Sequence, residues 1–136
     1  MTDRVEAVRR LFESDPFAAA NGIRLVELQP GLARTCVEID RRHWNCFSIT
    51  HGGVLFTLAA IAFAAASNTG EGSAVGINMS IACLKSTDGG TLTAEATEVA
   101  RSRRLATGTV RVTNDAGELV AIFQGTAYIR SEPLPG

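Results

Sequence analysis

A histidine and two glycines stand where a polar, irregular segment meets a long apolar run. The three residues are His51, Gly52 and Gly53. Glycine lets the backbone approach a ligand closely, and the first turn of a helix presents N–H groups without intrahelical partners at the positive end of its dipole. Such a turn can bind a carbonyl oxygen or a developing oxyanion. The structural alternative is that the glycines permit a tight turn while His51 caps the helix.

A second group of polar residues falls between two strand-like segments. It contains Arg101, Ser102, Arg103 and Arg104. Arginine binds phosphate through paired hydrogen bonds, so three arginines at one turn can hold a phosphorylated ligand. A solvated basic turn without a ligand is the alternative.

The hydrophobic pattern predicts two helices and six strands around these residues. Residues 5–12 carry apolar side chains at helical spacing, and Asp15-Pro16 indicates a break after them. Residues 23–28 and 33–39 alternate apolar and polar side chains on either side of Gln29-Pro30-Gly31, which predicts a hairpin. The remaining predicted elements are a helix at residues 53–67 and strands at residues 74–85, 91–100, 104–113 and 119–130.

The predicted helix at residues 53–67 has no polar face. A helix that is apolar on every side must be buried all round. One sheet can bury such a helix only by curling around it. The sequence therefore predicts an α+β protein with the hotdog architecture, in which a strongly bent antiparallel sheet wraps one central helix.

Length and composition predict one globular domain that spans residues 1–136. The chain is 46% hydrophobic and 20% charged, which excludes wholesale disorder. Its formal net charge of −1 and its aromatic content of 6% argue against a nucleic-acid partner, because such binding relies on neutralised phosphates and stacked bases.

The sequence also allows predictions of the cellular location and of metal binding. The apolar run at residues 54–66 is shorter than the roughly 20 residues that a membrane helix needs, so we expect no membrane partner. The N-terminal segment has acidic residues and lacks the apolar core of a signal peptide. Cys36, Cys46 and Cys83 are odd in number and lack metal-ligand spacing. We therefore expect no metal site, buried thiols and a cytoplasmic protein.

The segment that starts at His51 resembles a known family along its whole length. Residues 51–68 follow the pattern His-Gly-Gly-x-Leu-Phe-x-Leu-Ala-x-x-Ala-Phe-Ala-x-Ala-x-Asn, which is similar to the PaaI-type thioesterases, named for phenylacetic acid degradation. The resemblance includes Asn45 six residues earlier, the Ser-Arg-Arg step at residues 102–104 and the Val-Ala-Ile-Phe-x-Gly ending at residues 120–125.

This resemblance implies a substrate, an assembly and a set of site residues. Family members are hotdog proteins whose subunits pair into a continuous sheet, so it implies a homodimer or homotetramer with acyl-CoA bound at the subunit interface. No separate cofactor is implied, because CoA is part of the substrate. The glycine that matches Gly52 polarises the thioester carbonyl through its N–H, while the residues that match Asn45 and His51 orient the substrate or the attacking water. The candidate catalytic residues are Asn45, His51, Gly52 and Gly53, and the candidate CoA-phosphate residues are Ser102, Arg103 and Arg104.

One expected residue is missing. The family carries an aspartate on the central helix as nucleophile or general base, within the pattern Leu-Ala-Asp-Thr-Ala. The same positions here read Leu-Ala-Ala-Ile-Ala, which puts Ala60 at the aspartate position and Ile61 after it. No Asp or Glu occurs between Asp40 and Glu71. The family's Asp-aromatic step on the next strand is also changed, to Ala-Cys at residues 82–83.

These departures leave several functions open. Loss of a general base costs about 10²- to 10⁴-fold in rate, while an oxyanion site alone retains some catalysis. The chain could hydrolyse acyl-CoA with another base, supplied by His51 or by the partner subunit, or it could bind acyl-CoA without turnover. A single engineered substitution at Ala60 fits less well, because Ile61 also departs from the pattern. A hydratase needs an Asp/His pair, and none stands beside His51.

Overall fold

The computed structural model describes residues 2–135 and contains three α-helices, one short 3-10 turn and six strands. The helices are α1 (Thr2–Glu13), α2 (Pro16–Ala20) and α3 (Gly52–Ser67), and the 3-10 turn is Arg41–His43. The strands are β1 (Arg24–Gln29), β2 (Leu32–Glu38), β3 (Ser73–Cys83), β4 (Thr91–Arg101), β5 (Leu105–Thr113) and β6 (Leu119–Arg130). The predicted α+β class and the order of the main elements are confirmed.

The strands form one antiparallel sheet in the order β1-β2-β4-β5-β6-β3. The central strands alternate buried and more exposed positions, which is typical of a sheet with one face on the core. Helix α3 contacts all six strands, and its Leu58 and Phe63 are buried in the same core as Phe123 of β6. The sheet therefore fixes the position of α3 and of the turn that precedes it.

The prediction that the central helix is buried on every side is wrong for the single chain. Phe56, Thr57, Ala60 and Ala64 form a half-buried stripe along α3, and Gly52 and Gly53 at its start are exposed. The sheet covers the opposite face of the helix, while this stripe lies beside edge strand β3 and α2. An apolar stripe that the chain's own elements leave partly open is a feature of contact or ligand surfaces.

A short helix occupies the segment that the sequence indicated only as a break. Helix α2 begins at Pro16, and the Asp15 side chain caps it by accepting hydrogen bonds from the N–H groups of Phe17 (2.9 Å) and Ala18 (3.1 Å). Proline is well tolerated at the first helical position, and aspartate is a preferred N-cap. The Asp15-Pro16 step thus ends α1 and starts a new helix.

Strand β3 lies at the edge of the sheet and exposes apolar side chains. Val75, Ile77 and Met79 are 45%, 60% and 37% exposed. The register against β6 shifts between Gly76 and Asn78, which marks a bulge at Ile77. A long edge strand with exposed apolar residues is a site for pairing with another strand.

Two further observations bear on the sequence predictions. No helix within residues 2–135 is long and apolar enough to cross a membrane. Cys36 is buried, as predicted, but Cys46 and Cys83 are exposed, so the prediction of buried thiols is wrong for these two. The exposure of Cys83 follows from its place on edge strand β3, which has a neighbour on one side only.

Candidate active site

His51 is the N-cap of α3. Its Nδ1 accepts a hydrogen bond from the Gly53 N–H at 2.8 Å, which satisfies one of the N–H groups that the helix start leaves without an intrahelical partner. The Nδ1 lone pair is therefore in use, and the proton of the neutral ring lies on Nε2. His51 is thus arranged to donate a hydrogen bond from Nε2 and is poorly arranged to accept a proton.

Gly53 has to be glycine for this cap to form. A Cβ added at Gly53 would lie 2.9 Å from His51 Nδ1 and 3.3 Å from Cε1, closer than side chains pack. Any larger residue would displace the imidazole ring. The structural reading of the His-Gly-Gly turn is therefore correct for His51 and Gly53, and it leaves the role of Gly52 open.

Gly52 presents a backbone N–H that makes no hydrogen bond within the described part of the chain. The residue is the first of α3, so this N–H stands at the positive end of the helix dipole. It borders an open cavity of about 290 Å³, whose lining includes Asn45, Gly52, Leu55, Cys83, Lys85 and Thr87. An unused donor at the edge of a cavity can bind a carbonyl oxygen there.

Asn45 lines the same cavity, but its side-chain oxygen serves the loop. Asn45 Oδ1 accepts hydrogen bonds from the N–H groups of Phe47 (2.8 Å) and Ile49 (3.3 Å). The loop is further anchored where the Thr50 N–H donates to the Thr87 carbonyl at 2.8 Å. The amide nitrogen Nδ2 remains as the part of Asn45 that can donate to a ligand.

Cys83 is a site residue that the sequence analysis missed. Its Sγ lies 4.0 Å from the position that a Cβ on Gly52 would take, and it lines the cavity with Gly52 and Asn45. The bulge at Ile77 shifts the alternation of β3, so that Met79, Ile81 and Cys83 lie on the side of α3. A one-residue bulge leaves no reliable signal in the sequence, so the orientation of Cys83 could not be predicted.

Lys85 contributes positive charge to this cavity. Its Nζ is 3.7 Å from Glu118 Oε2, and both side chains are about half exposed. A hydrogen bond from Asn114 and, after it, the charge of Lys85 lower the pKa of Glu118. Glu118 is therefore ionised at neutral pH, and it partly offsets the charge of Lys85.

Ala60 borders a second cavity, farther along α3. This cavity of about 270 Å³ is mainly apolar, and its lining includes Phe12, Asp15, Phe17, Phe56, Ala60 and Met79. Thr57 also lines it, with a hydroxyl that donates to the Gly53 carbonyl at 2.7 Å. Ala60 lies eight positions after Gly52, which corresponds to about 12 Å along a helix. The two cavities of one chain are therefore separate.

The basic turn lies at the other end of α3. Arg101 donates to the carbonyl oxygens of Ser67 (3.0 Å) and Glu71 (2.9 Å), so it holds the C-terminal end of the helix and is occupied there. The 16 residues of α3 separate this turn from Gly52 by about 22 Å. The structure therefore does not bring the predicted phosphate residues and the predicted carbonyl site together within one chain.

The three predicted phosphate residues do share one cavity of about 900 Å³. Ser102 Oγ accepts a hydrogen bond from the Leu105 N–H (3.2 Å), and Arg104 donates to the Tyr128 hydroxyl (2.8 Å). Arg103 makes no hydrogen bond or ion pair with any residue from 2 to 135. Arg130 also lines the cavity and pairs with Glu132 at 3.1 Å, and Glu71 lines it as well. Four arginines therefore face two carboxylates, which leaves excess positive charge suited to an anion.

The fold and the α3 turn can now be compared with known proteins. The family model described as "Thioesterase superfamily" matches residues 47–121, which include the His-Gly-Gly turn and α3. A "Putative esterase" from Archaeoglobus fulgidus is 34% identical over 136 residues, covering 99% of this chain and 87% of that protein. The chain belongs to the thioesterase superfamily.

Two further relatives place the chain within that superfamily. Escherichia coli PaaI, an acyl-coenzyme A thioesterase, is 30% identical over 119 residues, covering 87% of this chain and 85% of the relative. The solved E. coli PaaI structure has a TM-score of 0.88, with 28% identity over 96% of this chain and 94% of that chain. A mutant of the phenylacetic acid degradation protein PaaI from Thermus thermophilus has a TM-score of 0.81, with 40% identity over 85% and 99% of the two chains. The PaaI-like resemblance and the hotdog fold are confirmed.

Proposed function

We propose that the protein hydrolyses acyl-CoA thioesters to the free acid and CoA. The observation that carries the proposal is the Gly52 N–H, which has no partner within residues 2–135 and lies at the start of α3 beside an open cavity. A thioester oxygen bound there gains more from the N–H and the helix dipole as charge develops on it. Similarity to the E. coli acyl-coenzyme A thioesterase PaaI supports the substrate class.

The neighbouring residues position the thioester. The local hydrogen bonds leave Asn45 Nδ2 and His51 Nε2 available as side-chain donors. Gly53 keeps His51 in place, since a side chain there would push the ring away. We assign positioning roles to Asn45, His51 and Gly53, and the oxyanion role to Gly52.

A second copy of the chain completes the site in this proposal. Exposed apolar residues on edge strand β3 support pairing into a homodimer or homotetramer. The separation of Gly52 from Ala60 by about 12 Å also supports it, because a carbonyl at Gly52 lies beyond reach of the cavity at Ala60 in the same chain.

Ser102, Arg103 and Arg104 are proposed to bind the phosphates of CoA. Their shared cavity, with Arg130 beside them, supports an anionic ligand. No separate cofactor and no nucleic-acid partner belong to this proposal. The single domain and the cytoplasmic location stay predictions from the sequence.

A second candidate is acyl-CoA binding without turnover. Ala60 favours it, because the resemblance implies a catalytic aspartate at this position and the chain carries an apolar side chain there. Steady-state assays that detect the released thiol, over short-chain, medium-chain and aryl acyl-CoAs, distinguish the two functions. We expect turnover of at least one class. A rise in melting temperature with acyl-CoA but no thiol release would establish binding alone.

The role of Gly52 is tested by Gly52→Pro, with Gly52→Ala as the matched control. Proline replaces the N–H with a ring carbon, at a first helical position where proline is well tolerated, and His51 already has the extended backbone that a residue before proline prefers. Alanine keeps the N–H, and its Cβ would make ordinary contact with Cys83. We expect Gly52→Pro to lower kcat by about 10²- to 10³-fold. The alanine variant should lose much less, and equal losses in the two variants would contradict the oxyanion role.

A further inference from the structure

The cavity beside Ala60 is lined by one carboxylate, that of Asp15, which lies outside the sequence motif at residues 51–68. We propose that Asp15 is the general base of the hydrolysis, acting from the wall of this cavity in place of the missing helix aspartate. The inference rests on the proposed thioesterase function and assigns the residue that activates water. Asp15 is 45 positions before Ala60 in the chain, yet both line the same cavity.

Asp15 is the only titratable residue among those that line the cavity in the described chain. The residues that α1, α3 and β3 contribute are Phe12, Phe56, Thr57, Ala60, Ile61, Phe63, Ala64, Gly76 and Met79, and none of them carries charge. The Thr57 hydroxyl already donates to the Gly53 carbonyl, so it offers only acceptor capacity. Asp15 is therefore the one side chain through which the described part of this chain can accept a proton in the cavity.

The hydrogen bonds of Asp15 hold its carboxylate in one orientation. Oδ1 accepts from the Phe17 N–H (2.9 Å) and from the Ala18 N–H (3.1 Å). Oδ2 makes no hydrogen bond or ion pair with any residue from 2 to 135. One oxygen thus anchors the side chain, and the other is available to accept a hydrogen bond from water.

The carboxylate acts on a thioester held by the other subunit. A carbonyl on the Gly52 N–H lies about 12 Å along the helix from Ala60 of the same chain, too far for attack by a water in that cavity. The Ala60 cavity of a paired copy supplies the water and the base instead. Each site then combines Gly52 of one subunit with Asp15 of the other.

The reaction balances without any further reagent. Asp15 takes a proton from water as the water oxygen bonds to the thioester carbonyl carbon, and the carbonyl oxygen becomes an oxyanion on the Gly52 N–H. The intermediate collapses with cleavage of the carbon–sulfur bond, and the proton on Asp15 passes to the CoA sulfur. The products are the carboxylic acid and CoA thiol, and Asp15 is again ionised.

Asp15→Asn tests the proposal with little effect on folding. Asparagine caps a helix as well as aspartate does, so the melting temperature should stay unchanged. We expect kcat to fall by about 10²- to 10⁴-fold with little change in KM, and the acidic limb of the kcat–pH profile to disappear. Asp40→Asn is the matched control, because Asp40 also caps a turn through its carboxylate but lies outside the cavity. It should keep the activity and the pH profile.

A second variant tests whether the two carboxylate positions are interchangeable. Adding Ala60→Asp to Asp15→Asn places a carboxylate on the α3 side of the same cavity, and it should restore activity by at least about 10-fold. Unchanged kcat and pH profile in Asp15→Asn, in a protein whose parent turns over acyl-CoA, would overturn the role of Asp15 and leave the thioesterase function standing. A parent without thiol release would overturn both. If Asp15→Asn unfolds, Asp15→Ser takes its place, because serine also caps a helix. Full activity of Asp15→Ser would refute the proposal.

Discussion

At the level of single residues, the hydrogen bond at His51 Nδ1 separates two roles that the sequence left open. A histidine that accepts the Gly53 N–H through Nδ1 carries its proton on Nε2, so it can donate but has no lone pair ready to take a proton from water. His51 therefore caps α3, and we propose that it positions the substrate. The base has to come from elsewhere, and Asp15 is the carboxylate that shares a cavity with Ala60.

His51→Asn checks this assignment. Asparagine can accept the Gly53 N–H as an N-cap and retains a side-chain donor, so we expect an unchanged melting temperature and a loss of kcat below about 10-fold. A loss of about 10²- to 10⁴-fold is instead what removal of the general base would produce. The measurement is kcat together with a thermal melt. His51→Ala is the comparison, because it also loses the cap, which lowers the free energy of unfolding by about 1 kcal/mol.

The sequence was sufficient for some residues of the site and insufficient for others. His51, Gly52 and Gly53 could be predicted because the turn and the helix start are local in the chain. Asp15 could not be, because only tertiary packing brings α2 to the face of α3 that carries Ala60. Arg103 and Arg104 line one cavity, and their role in binding phosphate stays a prediction. Their distance from Gly52 depends on the direction of α3, which the sequence does not give.

At the level of secondary structure elements, strand β3 determines what the start of α3 can contact. Its bulge at Ile77 shifts which side chains lie toward α3, and this brings Cys83 to the cavity at Gly52. The alternation in the sequence predicted the strand but not the bulge. The all-apolar pattern likewise predicted α3 but not its half-buried stripe. A pattern of apolar residues does not show which neighbouring elements cover each face of the helix.

The position of Cys83 predicts that a thiol reagent will block the site. In a Cys46→Ser background Cys83 is the one exposed cysteine, since Cys36 is buried. We expect a small alkylating reagent to modify Cys83, to abolish thioester hydrolysis and to be slowed by bound CoA. Mass spectrometry locates the adduct and the thiol-release assay measures the residual rate. The Cys46→Ser, Cys83→Ser variant should be insensitive, whereas complete modification of Cys83 without loss of rate would place it outside the substrate path.

At the level of the whole molecule, the proposed site requires two chains. Gly52 and Ala60 lie on one rigid helix about 12 Å apart, and no movement within α3 can bring them to the same carbonyl carbon. Edge strand β3 exposes Val75, Ile77 and Met79 beside the half-buried stripe of α3. In the dimer that we propose, pairing of these surfaces would cover apolar area and set the cavity of one chain against the α3 turn of the other.

Mixing two inactive variants tests this arrangement directly. Gly52→Pro lacks the oxyanion donor and Asp15→Asn lacks the base, so each homodimer has two defective sites. A mixed dimer has one site in which Gly52 of the Asp15→Asn chain meets Asp15 of the Gly52→Pro chain, and that site is intact. Random exchange of equal amounts should restore about a quarter of the parent activity, because half of the dimers are mixed and each has one intact site. If both residues of a site came from the same chain, mixing would restore nothing, and kcat after co-refolding distinguishes the two outcomes.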